Sequence, residues 1–284
     1  MTRKFTQIQL RPLLIIVLLI GAMRSNTYAG GFPVRSHSLL LSPSVSYFYA
    51  NNAWDSVGHL GAFPNNGHFS SITYQLYAEY GLSRRFTLVA QLPYVTNTYE
   101  QSDFKHTAAG LTDLETGIRW YVANIDYRFY FMVQGTVITP LYANSPSLGY
   151  GLTGGELKLM FSGSMKMLGT NGYFSVENGF RQYISSTGPF QDRYNATFGL
   201  NLDKQFKNQI SVSVGGFYST SSNKQFLPAQ YYANKNFSFN QVSLSYGHSF
   251  SREFSIFITG SKFISGRNTG DGASGAVSLV LRPF

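Results

Sequence analysis

The chain has 284 residues, no cysteine, and 22 Lys and Arg against 13 Asp and Glu, which gives a formal net charge of +9. Without cysteine, the fold cannot use disulfides or thiolate-ligated zinc, and the five dispersed histidines lack ligand spacing, so no metal and no other cofactor is expected. The positive charge is spread along the chain rather than clustered, which argues against nucleic acid as a partner.

The N-terminal stretch has the three parts of a secretory signal peptide. Residues 1–12 carry Arg3, Lys4 and Arg11 without an acid, residues 13–23 read LLIIVLLIGAM, and small residues lead to an exit after Ala29. This apolar run is too short to span a bilayer as a helix, which takes about 17–25 residues. The sequence therefore predicts a signal peptide at 1–29 and one domain at 30–284, with an uncleaved membrane anchor as the alternative.

Apolar and polar residues alternate with a period of two through the rest of the chain. In 111–122, LTDLETGIRWYV, Leu114, Ile118 and Trp120 share one face, while Glu115 and Arg119 share the other. A strand separates these two sets, whereas a helix would mix them. Twelve such segments are predicted, at 39–50, 68–80, 85–98, 110–122, 127–139, 154–167, 172–185, 192–204, 208–220, 237–249, 253–264 and 273–284.

The predicted connections alternate in length. Tight turns at 81–85, 123–126, 168–171, 205–208 and 250–253 alternate with longer polar loops at 51–67, 99–109, 140–153 and 221–236 and shorter ones at 186–191 and 265–272. The chain is also rich in Tyr and Phe and only 12% charged. These features predict an all-β fold: a 12-stranded antiparallel transmembrane β-barrel of the bacterial outer membrane, with short periplasmic turns and longer extracellular loops. A soluble β-sandwich is the alternative.

Two further features of the sequence are typical of outer-membrane barrels, namely the aromatic residues beside the tight turns and the C-terminal strand. Aromatic residues flank the tight turns, as expected of a belt at the lipid headgroups: Tyr80, Phe86, Trp120, Tyr127, Phe174, Phe206, Phe250 and Phe254. The chain ends in GAVSLVLRPF, and a last strand that ends on Phe284 resembles the strand that the outer-membrane assembly machinery recognises. Membrane lipid and that machinery are therefore the expected partners, although Arg282 and Pro283 leave the register of the last strand open.

The polar face of the strands should line the interior. It carries six acids and five bases, namely Glu79, Asp113, Glu115, Glu156, Glu177 and Asp203 with Arg119, Arg128, Lys158, Lys166 and Arg181. Charges in near balance predict cross-strand pairs that brace a narrow lumen, or a path for weakly polar solutes, whereas a ring of one sign would have indicated ion selectivity. Inward-facing tyrosines either suit an aromatic solute or fill space. The residues expected to border a solute path are Glu115, Arg119, Arg128, Glu177, Arg181, Tyr77 and Tyr121.

Two stretches resemble a known family. YGLSRRFTLVAQLPYV (80–95) and GLTDLETGIRWYV (110–122) are similar to outer-membrane barrels identified as transporters of the phenol meta-degradation pathway type, loosely grouped with fatty-acid and hydrocarbon uptake channels. Thr112 stands where the family motif Gly-Leu-Gly-Asp-Leu has its second Gly. The resemblance implies passive or facilitated diffusion of a small hydrophobic or aromatic solute toward the periplasm, and it assigns no binding residue.

Two other function classes stay open from the residues alone. In NGHFSS (66–71), His68 and Ser70 share one strand face, where an imidazole beside a hydroxyl could hydrolyse lipid esters. No asparagine is placed to orient His68, so an enzyme is not expected. A structural barrel that acts through its external loops is the other class, although the predicted loops are only moderate in length.

Overall fold

The computed structural model describes residues 34–143, 147–167, 169–222 and 234–283. The predicted signal peptide at 1–29 and the terminal Phe284 lie outside these ranges. The described residues form strands β1 (Leu39–Trp54), β2 (Leu60–Ala62), β3 (His68–Gly81), β4 (Phe86–Gln101), β5 (Phe104–Leu111), β6 (Asp113–Ile125), β7 (Phe129–Pro140), β8 (Gly154–Met167), β9 (Thr170–Tyr183), β10 (Phe190–Asn201), β11 (Asn208–Thr220), β12 (Phe237–Ser249), β13 (Phe254–Arg267) and β14 (Thr269–Leu281).

A single 3-10 turn at Pro64–Asn66 interrupts the strands in the described ranges. No helix among these residues is long and apolar enough to cross a membrane.

The strands close into an antiparallel barrel. Each wall strand pairs with its neighbours in chain order, and β1 pairs with β14 through partners such as Leu41 with Leu281 and Val45 with Val277. The wall has twelve strands, because β2 only lies beside the end of β1, and β5 and β6 together form one wall strand interrupted at Thr112. Closure leaves no sheet edge along the wall, as a lipid-exposed sheet requires. The predicted 12-stranded antiparallel barrel is confirmed.

Two connections at the long-loop end are shorter than predicted. Residues 99–109 were expected as a loop, but β4 and β5 continue as a hairpin to the pair Gln101 and Phe104. β13 and β14 pair with each other only as far as Lys262 and Ala273. Beyond that level the ends of the two strands separate: β13 continues along β12 to Arg267, β14 starts along β1 at Thr269, and Asn268 with a φ of 52° joins them. The last strand consequently begins at Thr269 rather than at residue 273.

The two faces of the wall differ as the alternation predicted. On β8, Leu157 and Leu159 point outward and are 51% and 48% exposed. Glu156 on the same strand points inward and is buried. An apolar outer face beside a polar inner face is the arrangement that a barrel in lipid requires.

The short-turn end carries outward aromatic rings. Phe86 and Trp120 stack at 6.4 Å between ring centroids, and Phe161 meets Phe174 of the neighbouring strand edge-to-face at 5.2 Å. Such rings match the predicted belt at the headgroup level. Three of the predicted belt residues are placed differently: Tyr127 and Phe206 lie in turns with φ of 53° and 58°, and their rings line the mouth of the barrel together with that of Phe250.

Candidate functional site inside the barrel

A compact polar cluster occupies the interior near the short-turn end. Arg119 on β6 donates from Nη1 to Glu79 Oε1 at 2.8 Å, from Nη2 to the Tyr77 hydroxyl at 2.9 Å and from Nε to Gln134 Oε1 at 3.1 Å. The Tyr77 hydroxyl itself donates to Glu79 at 2.5 Å. The Arg119 and Glu79 side chains are only 6% and 9% exposed. This is a satisfied, charge-neutral cluster that ties β3 to β6 and β7 across the inner wall.

A second charged network lies deeper toward the long-loop end. Arg181 on β9 donates from Nε to Glu156 Oε2 at 2.9 Å and from Nη2 to Glu115 Oε1 at 2.6 Å. Glu156 is on the adjacent strand β8, but Glu115 is on β6, with β7 and β8 between. The Arg181–Glu115 contact therefore reaches over the inner wall and narrows the lumen at this level.

Arg193 on β10 extends this network. Its Nη1 atom lies 3.5 Å from Glu156 Oε2 and 3.9 Å from Glu115 Oε1. Its guanidinium carbon also lies 4.3 Å from the centroid of the Phe217 ring, within the range of a cation–π contact. Sequence analysis missed Arg193, although it shares the inward parity of Asn195 and Thr197, which was the signal available.

Lys158 closes the network on β8. Its ammonium lies 3.8 Å from a carboxylate oxygen of Glu156 and 3.8 Å from one of Glu177. Glu115, Glu156 and Glu177 thus face Lys158, Arg181 and Arg193, three acids against three bases. We call these six residues the ionic wall.

The part of the lumen that β11, β12, β13 and β1 line is aromatic. Phe217 on β11 lies 5.8 Å from Phe239 on β12, which stacks on Phe263 of β13 at 4.0 Å with the ring planes 8° apart. Phe263 lies 5.3 Å from Phe48 of β1, across β14. All four rings are partly exposed and point inward, since their chain neighbours Tyr47, Tyr218 and Ile264 are exposed on the outer face. We call Phe217, Phe239, Phe263 and Phe48 the phenylalanine ladder.

The connection between β1 and β3 folds into the long-loop end of the interior. Phe63 is buried against Ala50 and Tyr99, with 5.9 Å between its ring centroid and that of Tyr99. The backbone after Phe63 turns back at Pro64–Asn66 before β3 begins. A buried ring from a loop therefore covers part of the outer mouth.

The segment between β7 and β8 covers another part of the mouth at the long-loop end. The Asn97 side chain donates to the Ser147 carbonyl at 2.9 Å, and Gln191 donates to the Tyr150 hydroxyl at 3.3 Å. The Tyr150 hydroxyl in turn donates to the carbonyl of Asn234 at 2.8 Å. Burial raises the pKa of Tyr150, so its hydroxyl stays neutral and acts as a hydrogen-bond group.

The short-turn end is more open. A cavity of about 730 Å³ opens there, lined by the turn 202–207, the turn 250–253 and the inner ends of neighbouring strands. Four cations line it, namely Lys204, Lys207, Arg252 and Arg282, together with aromatic rings such as Phe206 and Tyr173.

The structure brings most of the predicted lumen residues into these groups. Arg119 and Tyr77 lie in the cluster near the short turns, where Tyr121 is also buried, and Glu115, Glu177 and Arg181 belong to the ionic wall. The predicted position of Arg128 on the inner face of a strand is wrong. Because β7 begins at Phe129, Arg128 is exposed in the preceding turn and contacts neither group. Asp203 likewise lies in a turn, where it accepts hydrogen bonds from the backbone of Lys207 and Asn208.

The pair considered for hydrolysis is not assembled. His68 and Ser70 lie on the same face of β3, as expected, but no hydrogen bond joins them in the described part of the chain. The His68 ring instead lies 5.6 Å from the ring of Tyr49. The hydrolase alternative is therefore not favoured.

A closed antiparallel barrel with an apolar outer wall, paired charges inside and short turns at one end is the fold of bacterial outer-membrane β-barrels. By the usual orientation of that class, the short turns face the periplasm and the long loops face outward.

Solved structures of this class are similar to the chain. An outer membrane channel from Pseudomonas putida F1 has a TM-score of 0.68 at 10% identity, over 90% of this chain and 100% of the other. The translocator domain of the autotransporter NalP from Neisseria meningitidis has a TM-score of 0.52 at 11% identity, over 96% and 94%. The NanC porin has a TM-score of 0.52 at 7% identity, over 85% and 98%. At such identities the similarity concerns the fold.

No protein-family model and no curated protein sequence matches the chain. The resemblance to transporters of the phenol meta-degradation pathway type therefore stays a prediction.

Proposed function

We propose that the protein is an outer-membrane channel through which small hydrophobic or aromatic solutes diffuse toward the periplasm. The fold supports a channel, and the lining of the lumen supports the class of solute. In this proposal Glu115, Arg119, Glu177, Arg181, Tyr77 and Tyr121 border the path, and Arg193 joins them.

The observation that carries the proposal is the phenylalanine ladder, which begins at Phe217 beside Arg193 of the ionic wall. Four partly exposed rings on β11, β12, β13 and β1 offer a continuous aromatic surface in the lumen. A polar solute gains less from such a surface than an aromatic ring, which can stack on it at about 0.5–1.5 kcal/mol per aromatic pair. The paired charges on the facing wall fix the width of the passage.

The test compares solutes in proteoliposomes. Phe217→Ala together with Phe239→Ala should slow the uptake of benzyl alcohol by about threefold to tenfold, because one or two aromatic contacts are lost. Uptake of arabinose, a sugar of similar size, should stay the same or rise, since the lumen widens. The swelling rates of the liposomes in excess of those of protein-free liposomes measure both, because benzyl alcohol also crosses lipid directly.

The matched control is Val214→Ala together with Leu244→Ala, which shortens outward side chains on the same two strands, β11 and β12. It should leave both rates unchanged. Equal slowing of benzyl alcohol and arabinose in the ladder variant, or no uptake of benzyl alcohol by the wild type, would contradict the proposed solute class.

A further inference from the structure

The cations at the periplasmic mouth differ from those of the ionic wall in having no acidic partner among the described residues. Lys204, Lys207, Arg252 and Arg282 all line the cavity of about 730 Å³. In the described part of the chain, none of these four side chains has a carboxylate oxygen within 4.0 Å, whereas the three bases of the ionic wall all do.

Asp203 and Glu253 lie in the same turns as three of these cations, but neither forms an ion pair with any of the four among the described residues. Asp203 accepts from the backbone nitrogen atoms of Lys207 at 3.0 Å and Asn208 at 2.6 Å, and from the Asn208 side chain at 2.9 Å, so its carboxylate stabilises the turn. Glu253 carries the opposite charge nearest to Arg282 but lies beyond ion-pair distance.

Arg282 shows the clearest lack of a partner. Its Nη1 donates to the Arg252 carbonyl at 3.3 Å, while its Nε is buried and has no hydrogen-bond partner among the described residues. The Nε atom is itself closed off from the cavity, so an anion there would be attracted by the charge of the guanidinium rather than by a bond to this atom.

The same cavity has an apolar lining. Tyr127, Tyr130, Tyr173, Phe206 and Phe250 contribute rings to its wall, between and beside the cations. Cations and rings within one cavity match a ligand that carries a negative group on an apolar body.

We propose that the periplasmic mouth binds small organic carboxylates and makes the channel selective for anions. A concave site with one sign of charge raises the local concentration of the opposite ion. The inference rests on the proposed function in one respect, namely that the lumen conducts, and it refines the solute class from hydrophobic or aromatic molecules to those that carry a carboxylate.

The experiment uses the full mature chain in planar lipid bilayers. The reversal potential in a potassium chloride gradient should show a preference for chloride over potassium of about threefold or more, given the charge of the mouth. Benzoate should reduce the chloride current, and benzyl alcohol, which lacks the charge, should not. Lys204→Gln together with Lys207→Gln should lower the chloride preference by about half or more and weaken the block by benzoate.

The matched control is Arg84→Gln together with Arg85→Gln. These two cations are also exposed in a short periplasmic turn and do not line the cavity. The control should keep the selectivity and the benzoate block of the wild type, although it loses the same charge.

Each other outcome overturns a defined statement. A wild-type channel without chloride preference, or an equal loss in the control, overturns the anion-binding mouth and leaves the channel standing. A wild type that conducts no ion overturns the channel and the mouth together. Chloride preference with benzoate block but without uptake of benzyl alcohol supports the mouth and contradicts only the uptake of neutral aromatic solutes.

Discussion

A guanidinium that is 2% exposed, as that of Arg181 is, stays charged inside a barrel only where carboxylates surround it. Glu156 and Glu115 provide them, and Glu156 is equally buried. These contacts offset the cost of removing the charges from water, so removing one partner does more harm than removing both. The ionic wall is therefore sensitive to single changes.

The corresponding prediction concerns Arg181→Leu. It leaves Glu156 buried with only Arg193 and Lys158 at 3.5 and 3.8 Å, so the free energy of unfolding should fall by about 3–5 kcal/mol. Urea titration of the detergent-solubilised barrel, followed by tryptophan fluorescence, measures this change.

Two further variants make that prediction specific. Arg181→Leu combined with Glu156→Leu should be more stable than Arg181→Leu alone, because the buried acid is removed as well. Lys166→Leu, at an exposed position of β8, should change the stability by less than about 0.5 kcal/mol. A cost below about 1 kcal/mol for Arg181→Leu would show that this pair does not hold the wall.

Alternation predicted the inward positions of Glu115 and Arg181 but not their contact. That contact depends on how far consecutive strands are staggered around the closed wall, and the period of two carries no information on stagger. The exposed position of Arg128 depended on one residue at the start of β7, the kind of boundary that pattern reasoning places least well.

β14 consists largely of small residues, and this allows a side chain of the next strand to lie across it. The Phe48 ring of β1 rests over Gly272, where an added Cβ would collide with it, and reaches Phe263 on β13. Gly275 on the same strand has open space at its Cβ position. The phenylalanine ladder thus depends on one glycine of β14.

Gly272→Ala should therefore displace Phe48 and interrupt the ladder. Benzyl alcohol uptake into proteoliposomes should fall by about twofold to fivefold, as expected for one lost aromatic contact. Gly275→Ala serves as the control and should leave uptake unchanged. Equal uptake by the two variants would place Phe48 outside the solute path.

Turn chemistry explains why some predicted elements were misplaced. Asn and Gly near 268–272 indicated a loop, and these residues indeed do not pair with β13, yet the glycines belong to β14 because they pair with β1. In the same way, the polar stretch at 99–109 reads as a loop because its residues leave the membrane, although β4 and β5 keep pairing there. The polarity of these residues indicated exposure to water, but their backbone hydrogen bonds make them part of the strands.

Closure between the first and last strands turns a sheet into a channel wall. The sequence predicted twelve strands, and an even count of antiparallel strands allows β1 to meet β14. It could not predict the register, in which Val45 faces Val277 and the pairing shifts between Ala50 and Asn52.

Since the natural chain has no cysteine, a pair of introduced ones reports this register directly. Val45→Cys together with Val277→Cys should form a disulfide on mild oxidation, because directly opposed residues of antiparallel strands have Cα atoms about 4.5–5.5 Å apart. Gel mobility with and without reductant measures the cross-link.

Val45→Cys together with Leu244→Cys is the control, since β12 is not adjacent to β1. It should not cross-link. Failure of the first pair, or equal cross-linking of both, would contradict the observed register at the junction of β1 and β14.

Phe48 and Phe263 lie more than two hundred residues apart along the chain, and only the pairing of β1 with β14 brings them together. The row of rings is thus completed by the same pairing that closes the barrel. A half-assembled barrel would have neither the continuous row nor a closed wall, so the aromatic lining and the sealed interior arise in one step of assembly.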